Sequence, residues 1–178
     1  FYGRFSKEKG IDLLLKAFKS IKKSKLIIAG EGREKHKILK YIKNENISNI
    51  DYVGFKFGED LNNLIKNAFF VIVPSQWYEN NPLTIIESYS NGVPIIGSEI
   101  GGIPEIINNG KTGFTFKTRD LNDLKQKIIM TESISKNQYK KLSNGAYNFA
   151  LSNFDVSNYY GRLIEFYNNI IQLYNPKS

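Results

Sequence analysis

The chain has no cysteine, one histidine, one tryptophan and one methionine. Without cysteine there is no disulfide framework, no thiolate zinc cluster and no thiol nucleophile. The single histidine, His36, cannot build a metal site alone. Flanked by Glu34, Lys35 and Lys37, it reads as a solvated residue on a polar helix face. Arginine is scarce as well: Arg4, Arg33, Arg119 and Arg162 are the only ones among 25 basic residues. The lysines are scattered over several segments rather than clustered with aromatics. A net charge of +8 is therefore not read as a nucleic-acid surface, although it permits attraction to anionic ligands or an anionic membrane surface. No apolar run approaches the roughly 20 residues of a membrane span, and no segment reads as a signal peptide. An initiator methionine is also absent. The chain starts at Phe1 in a strand-like segment, as expected of a piece cut at a domain boundary.

What is present is 178 residues, 41% of them hydrophobic, enough for one domain whose core needs no staples. Short apolar runs alternate with helical patterns, as in βαβ units. Strands are predicted at 1–5, 26–29, 51–53, 69–73, 93–97 and 113–116. The run 69–73 is the most apolar, as a central parallel strand buried on both faces would be. Helices are predicted at 11–22, 33–46, 60–68, from Pro82 to Asn91, from Pro104 to Ile107 and from Asp120 to about Met130. Leu14, Leu15, Phe18 and Ile21 share one stripe of the first, and Leu61, Leu64 and Ile65 face inward from the third. Beyond residue 130 the sheet pattern stops, and 138–152 and 158–174 read as helices. In the last of these, Tyr160, Leu163, Ile164, Tyr167, Ile170, Ile171 and Tyr174 form a stripe expected to pack into the core rather than onto a membrane.

Ligands bind beyond the carboxyl ends of open parallel sheets, and several features fall there. Gly3-Arg4 and Lys9-Gly10 follow the first strand; a planar guanidinium fork and an ammonium on one loop can clamp a diphosphate. Glu79 and Glu87 bracket a helix start at Asn80-Asn81-Pro82-Leu83-Thr84. With Pro82 near the first helical position, the N–H groups of Leu83 and Thr84 are free and the helix dipole is positive, which suits phosphate. Glu87 can accept hydrogen bonds from both hydroxyls of a ribose, and Glu79 from a sugar hydroxyl. Taken singly, the Arg4–Lys9 loop reads equally as a charged turn, and spacing alone favours Glu79 as a dipole-complementing acid and Glu87 as a surface residue. Gly101-Gly102 permits close backbone approach to a ligand or a facing domain. Gly30-x-Gly32 lacks the third glycine of a dinucleotide fingerprint, since Lys35 stands there, and reads as a strand-to-helix turn.

As an ordered set these residues resemble the group 1 (family 4) retaining glycosyltransferases of GT-B fold. The set is Gly3-Arg4…Lys9-Gly10, Ala29-Gly30-Glu31-Gly32, Glu79-x7-Glu87, Gly92-Val93-Pro94, Gly101-Gly102-x-Pro104-Glu105 and Gly110-x-x-Gly113. It runs from Phe1 to about Met130. The resemblance implies a Rossmann-like three-layer α/β/α domain with a mainly parallel sheet of about six strands, the carboxyl-terminal, nucleotide-sugar-binding half of a GT-B enzyme. Residues 1–130 would form its core and 131–178 its closing helices, with the amino-terminal acceptor domain outside this chain.

The resemblance further implies transfer of a hexose-type sugar from a nucleotide-diphosphate donor to an acceptor hydroxyl, with anomeric configuration retained, in glycan, glycolipid or polysaccharide synthesis. Arg4, Lys9 and Glu79 are its candidate catalytic residues, the two cations on the diphosphate and Glu79 on the transferred sugar. Glu87 would bind the ribose. Gly3, Asn80, Asn81, Pro82, Leu83 and Thr84 would line sugar and phosphate, Phe55 and Lys56 would border the base, and Gly101 and Gly102 would complete the donor site. No Asp-x-Asp metal motif is present, so no cofactor or metal ion is expected. The expected partners are the nucleotide sugar and, through the missing domain, an acceptor sugar or lipid-linked glycan, with no nucleic acid. The expected location is cytoplasmic, with room for peripheral association at the inner membrane face. Ser88 replaces a common alanine, and Asn80-Asn81-Pro82 a common Ser-Phe-Gly, which bears on sugar choice. The glutamates would recognise the donor and supply neither acid nor base. The fragment alone is expected to fold and bind nucleotide weakly without turnover. Two alternatives stay open: a nucleotide-sugar epimerase of the same architecture, and a non-catalytic nucleotide-binding module.

Overall fold

The computed structural model describes residues 1–174; residues 175–178 of the predicted closing segment lie outside the described residues. Five short parallel strands form two sheets. β1 (Leu26–Ile28) pairs with β2 (Ile50–Tyr52), and β3 (Val71–Val73), β4 (Ile95–Ser98) and β5 (Gly113–Phe116) follow one another in the second. The helices are α1 (Ile11–Ser20), α2 (Lys35–Asn44), α3 (Gly58–Lys66), α4 (Leu83–Ser90), α5 (Ile103–Ile106), α6 (Leu121–Thr131), α7 (Lys136–Phe154) and α8 (Val156–Tyr174). The expected α/β order is thus realised, with ends displaced by one or two residues, as helix and strand ends generally are.

The predicted first strand differs most. Residues 1–5 make one bridge, Tyr2 beside Ala29, supported by Ala29 N–H to Phe1 O and Gly3 N–H to Ala29 O, both 3.0 Å. After Gly3 the chain leaves the strand direction, and Phe5 N–H bonds the carbonyl of Glu31 in the β1–α2 loop instead. The segment lies beside β1 on one edge, and a cleft separates it from Ile72 and Val73 of β3 on the other.

Alternating side chains feed two cores, one on each face. Ile72 and Ile96 enter a cluster with Leu14, Leu15 and Phe18 of α1, Ile38 of α2 and Leu124 and Ile128 of α6. Their neighbours Val71, Val73 and Ile95 enter a second cluster with Ile65 of α3, Ile85 and Tyr89 of α4, and Ala146 and Ala150 of α7. The result is the three-layer arrangement expected of a Rossmann-like domain. Asp120 starts α6 as predicted, its carboxylate accepting from the N–H groups of Asn122 and Asp123 at 2.9 and 3.0 Å.

α8 departs from expectation. Its stripe was to enter the core, yet Tyr160, Ile164, Tyr167, Ile171 and Tyr174 are exposed and only Leu163 and Ile170 are half-buried. The helix packs chiefly against α7. Helical period sets which residues share a face; whether anything covers that face depends on the rest of the fold. Among the described residues, no helix is long and apolar enough to cross a membrane.

Candidate functional site

Three loops at the carboxyl ends of the strands converge. The first follows residues 1–5 and carries Arg4 and a short 3₁₀ turn, Lys7–Lys9. Gly10 ends that turn at φ 68° and starts α1. A Cβ there would stand 1.8 Å from the carbonyl oxygen of Pro74, so only glycine lets this loop lie directly on the loop after β3. Gln76 N–H to Glu8 O, at 2.7 Å, joins the same two loops. Lys9 is thereby delivered to Glu79: Nζ lies 2.5 Å from Oε1. The same Oε1 accepts the hydroxyl of Ser75 at 3.0 Å, and Ser75 is itself buried, its carbonyl bonded by Ser98 Oγ at 2.7 Å. The Glu79 carboxylate therefore has a fixed position before any ligand arrives. The Arg4 side chain, by contrast, is exposed and makes no hydrogen bond or ion pair with the described residues.

The second convergence is the start of α4. Pro82 is the residue just before the helix (φ −67°, ψ 116°) rather than its first turn, and Leu83 is the first helical residue. No side chain caps this end. The N–H groups of Leu83 and Thr84 have no acceptor among the described residues, and the first amide to find one is Ile85, on Pro82 O at 2.9 Å. Glu87 lies in the following turn, half-buried. Its Oε2 accepts from the Tyr2 hydroxyl at 3.0 Å. Burial, reinforced by the Glu87 charge, pushes the Tyr2 phenol well above its usual range, so it stays protonated and donates.

The third is the loop after β4. A Cβ on Gly101 would fall 2.5 Å from Glu79 O, and one on Gly102 would fall 2.1 Å from Asn80 O; Gly102 N–H bonds Glu79 O at 2.7 Å. The close approach that these glycines permit is to the Glu79–Asn80 backbone, so they hold the glutamate loop from behind.

Gly3, Arg4, Lys9, Ser75, Pro82 and Thr84 share one cleft of about 230 Å³, together with Phe1, Tyr2, Ile72 and Val73. Asn80, Asn81 and Leu83 stand exposed beside it. Phe55 and Lys56 are on the β2–α3 loop and do not line it; Phe55 is exposed and stacks on Phe57 with ring centroids 6.1 Å apart. A larger hollow of about 330 Å³ opens at the opposite ends of the strands, but its lining is mostly apolar and holds one charged side chain, Lys25. The smaller cleft is the one with convergent polar groups, which marks a ligand site better than size does. Two of its members, Ser75 and Tyr2, escaped the sequence reading. Ser75 directly follows the apolar β3 run and Pro74, a position that signals a strand end. Nothing in sequence pairs Tyr2 with Glu87, 85 residues away. Among the described residues no group of three or more His, Cys, Asp or Glu side chains could hold a metal ion.

This arrangement offers two cations and two unpaired helix amides on one side, and two positioned carboxylates flanking them. It can hold an anionic group and hydroxyl-bearing rings together. Known proteins resemble the chain in sequence and in fold. The family model for glycosyl transferases group 1 matches residues 1–149. An uncharacterised glycosyltransferase of Methanocaldococcus jannaschii is 30% identical over 141 residues, 79% of this chain and 39% of that protein. The crystal structure of a glycosyltransferase from Rickettsia africae superposes with a TM-score of 0.85 at 26% identity, over 96% of this chain and 46% of that one. Anabaena HepE, solved in complex with UDP, shares the fold at a TM-score of 0.84 and 21% identity, over 94% of this chain and 47% of that one. The chain thus spans less than half the length of these relatives. With motif order, α/β architecture and family match in agreement, the chain belongs to the group 1 glycosyl transferases of GT-B fold.

Proposed function

We propose that this chain is the donor-binding domain of a glycosyltransferase that moves a hexose-type sugar from a nucleotide diphosphate to an acceptor hydroxyl with retention of configuration. Its core takes in α7 as well as the sheet and the earlier helices, α8 packs on α7, and the acceptor, a sugar or lipid-linked glycan, is held by a separate amino-terminal domain. The observation that carries this reading is the cleft in which Arg4, Lys9 and the start of α4 meet from different strand ends. HepE, a fold relative, is described with UDP bound, which fits a nucleotide donor here.

The chemical difficulty is charge gathering on the departing diphosphate. Lys9 and the amides of Leu83 and Thr84 offset it electrostatically from positions set before reaction, Arg4 adds an exposed guanidinium, and no metal ion is required. An ammonium has three donors. Lys9 uses one on Glu79 and keeps two for phosphate oxygens, so a single residue links diphosphate to sugar site. Glu79, held by Ser75 and Lys9, takes a hydroxyl of the transferred sugar, and Glu87 takes the ribose. Phe55 and Lys56 border the base. The enzyme works at the cytoplasmic side, with its lysines available for an anionic membrane face.

Calorimetry with UDP, GDP and ADP tests the reading. One of the three should bind the chain, and Arg4→Ala and Lys9→Ala should each weaken it by about tenfold or more, the worth of a hydrogen bond to a charged group. Equal binding by both variants and the unaltered chain would remove the diphosphate clamp.

A further inference from the structure

Glu87 is the less anchored of the two glutamates, and among the described residues its carboxylate has one hydrogen-bond partner, the hydroxyl of Tyr2. We propose that Tyr2 is a positioning residue for Glu87, presenting one carboxylate oxygen to the ribose hydroxyls of the nucleotide. The proposal rests on the donor-site reading and deepens it.

The geometry is a small hydroxyl cluster under the first turns of α4. Tyr2 Oη lies 3.0 Å from Glu87 Oε2, 2.9 Å from Thr84 O and 3.4 Å from Ser88 Oγ. Ser88 Oγ donates to Thr84 O at 2.7 Å, so that carbonyl already has a proton. The single proton of Tyr2 therefore serves Glu87 best, because a charged acceptor makes the stronger bond. Oε2 is engaged, and Oε1 has no partner among the described residues. A carboxylate on a helix surface samples several rotamers, and each costs part of its affinity for a ring hydroxyl pair. Tyr2 removes that freedom. Its ring is buried against the body, bonded through the backbone to β1, so the hydroxyl is a rigid post rather than a second mobile arm. Ser88 completes the post. Its hydroxyl is fully buried against α4 and within reach of the phenol.

The cluster also explains how a phenol can be buried at this position. Burying a phenol without a partner is costly, and here the partner is the carboxylate. Phenylalanine would fill the same volume and lose only the bond.

The test measures discrimination for the ribose, which a merely structural tyrosine would not alter. UDP, GDP and ADP are titrated into the chain by calorimetry, and the tightest is compared with its 2′,3′-dideoxy counterpart. The unaltered chain should prefer the ribose form by about tenfold or more. Tyr2→Phe should cut that preference to about threefold or less while affinity for the dideoxy form stays within twofold. Glu87→Gln should lower it as well, and the Tyr2→Phe/Glu87→Gln double variant should go little lower than Glu87→Gln alone, since both act through one contact. A Tyr2→Phe chain that keeps the full preference overturns the inference and leaves the donor-site reading standing. Failure of all three nucleotides to bind the unaltered chain overturns both. If Tyr2→Phe lowers affinity for the ribose and dideoxy forms equally, the residue is structural and the inference fails.

Discussion

The body of this molecule, residues 1–154, and its last helix put similar residues to opposite uses. In the body, aliphatic side chains such as Leu14, Ile85 and Ile96 are sealed between helices and sheets, and even charged loops such as Lys9 and Glu79 are tied to one another. In α8, a regular aromatic and aliphatic stripe faces outward, with Tyr167 53% and Tyr174 83% exposed. The contrast separates two properties that a hydropathy pattern merges. Amphipathic period is a property of the local chain, whereas burial needs a second surface that the fold must supply. In the body β3 and β4 supply that surface on both faces; α8 has mainly α7.

That contrast can be broken or sharpened by substitution. Leu14→Ala, at a fully buried position in α1, should cost about 2–5 kcal/mol and be seen as a marked fall in denaturant midpoint. A loss below 1 kcal/mol would mean the body is packed no better than α8. Gly102→Ala places a methyl on the Asn80 carbonyl and should cost about 1–3 kcal/mol. Because the strain falls on the Glu79 loop, nucleotide binding should weaken in the same variant; unchanged melting and unchanged binding together would show that the loop yields freely. Asp120→Ala removes the carboxylate that accepts two amides at the start of α6 and should cost about 1 kcal/mol, a drop of about 2–4 °C in Tm. Smallest of all, Tyr167→Ser should stay within about 0.5 kcal/mol. A larger effect there would reveal a buried role for the α8 stripe in solution.

How much was legible in sequence varied with the range of the interaction. The order of strands and helices, the stop at Gly92, the Asp120 cap and the inward residues of α3 followed from local periods and end signals, which act over a few residues. The Arg4, Lys9, Glu79 and Glu87 set stood out because its spacing matched a family, although the pairing of Lys9 with Glu79, 70 residues apart, did not. Gly101 and Gly102 were expected to admit a ligand or a domain, and their close neighbour is the Glu79–Asn80 backbone. That assignment needs two loops from different strands in one frame. Phe1–Phe5 has the residues of a full strand, but Gly3 redirects the chain after one bridge.

Composition and the order of residues were enough to exclude a disulfide scaffold and a thiol nucleophile within this chain, to show no apolar run of membrane-spanning length, and to specify an alternating α/β chain with its charged motifs at strand ends. Those are statements about what each short stretch contains. Which hydroxyl holds which carboxylate, which face of α8 stays open, and how Lys9 reaches Glu79 came from packing. Each of those joins residues far apart in the chain, and their distances are set by glycine contacts and core volumes that no local pattern encodes.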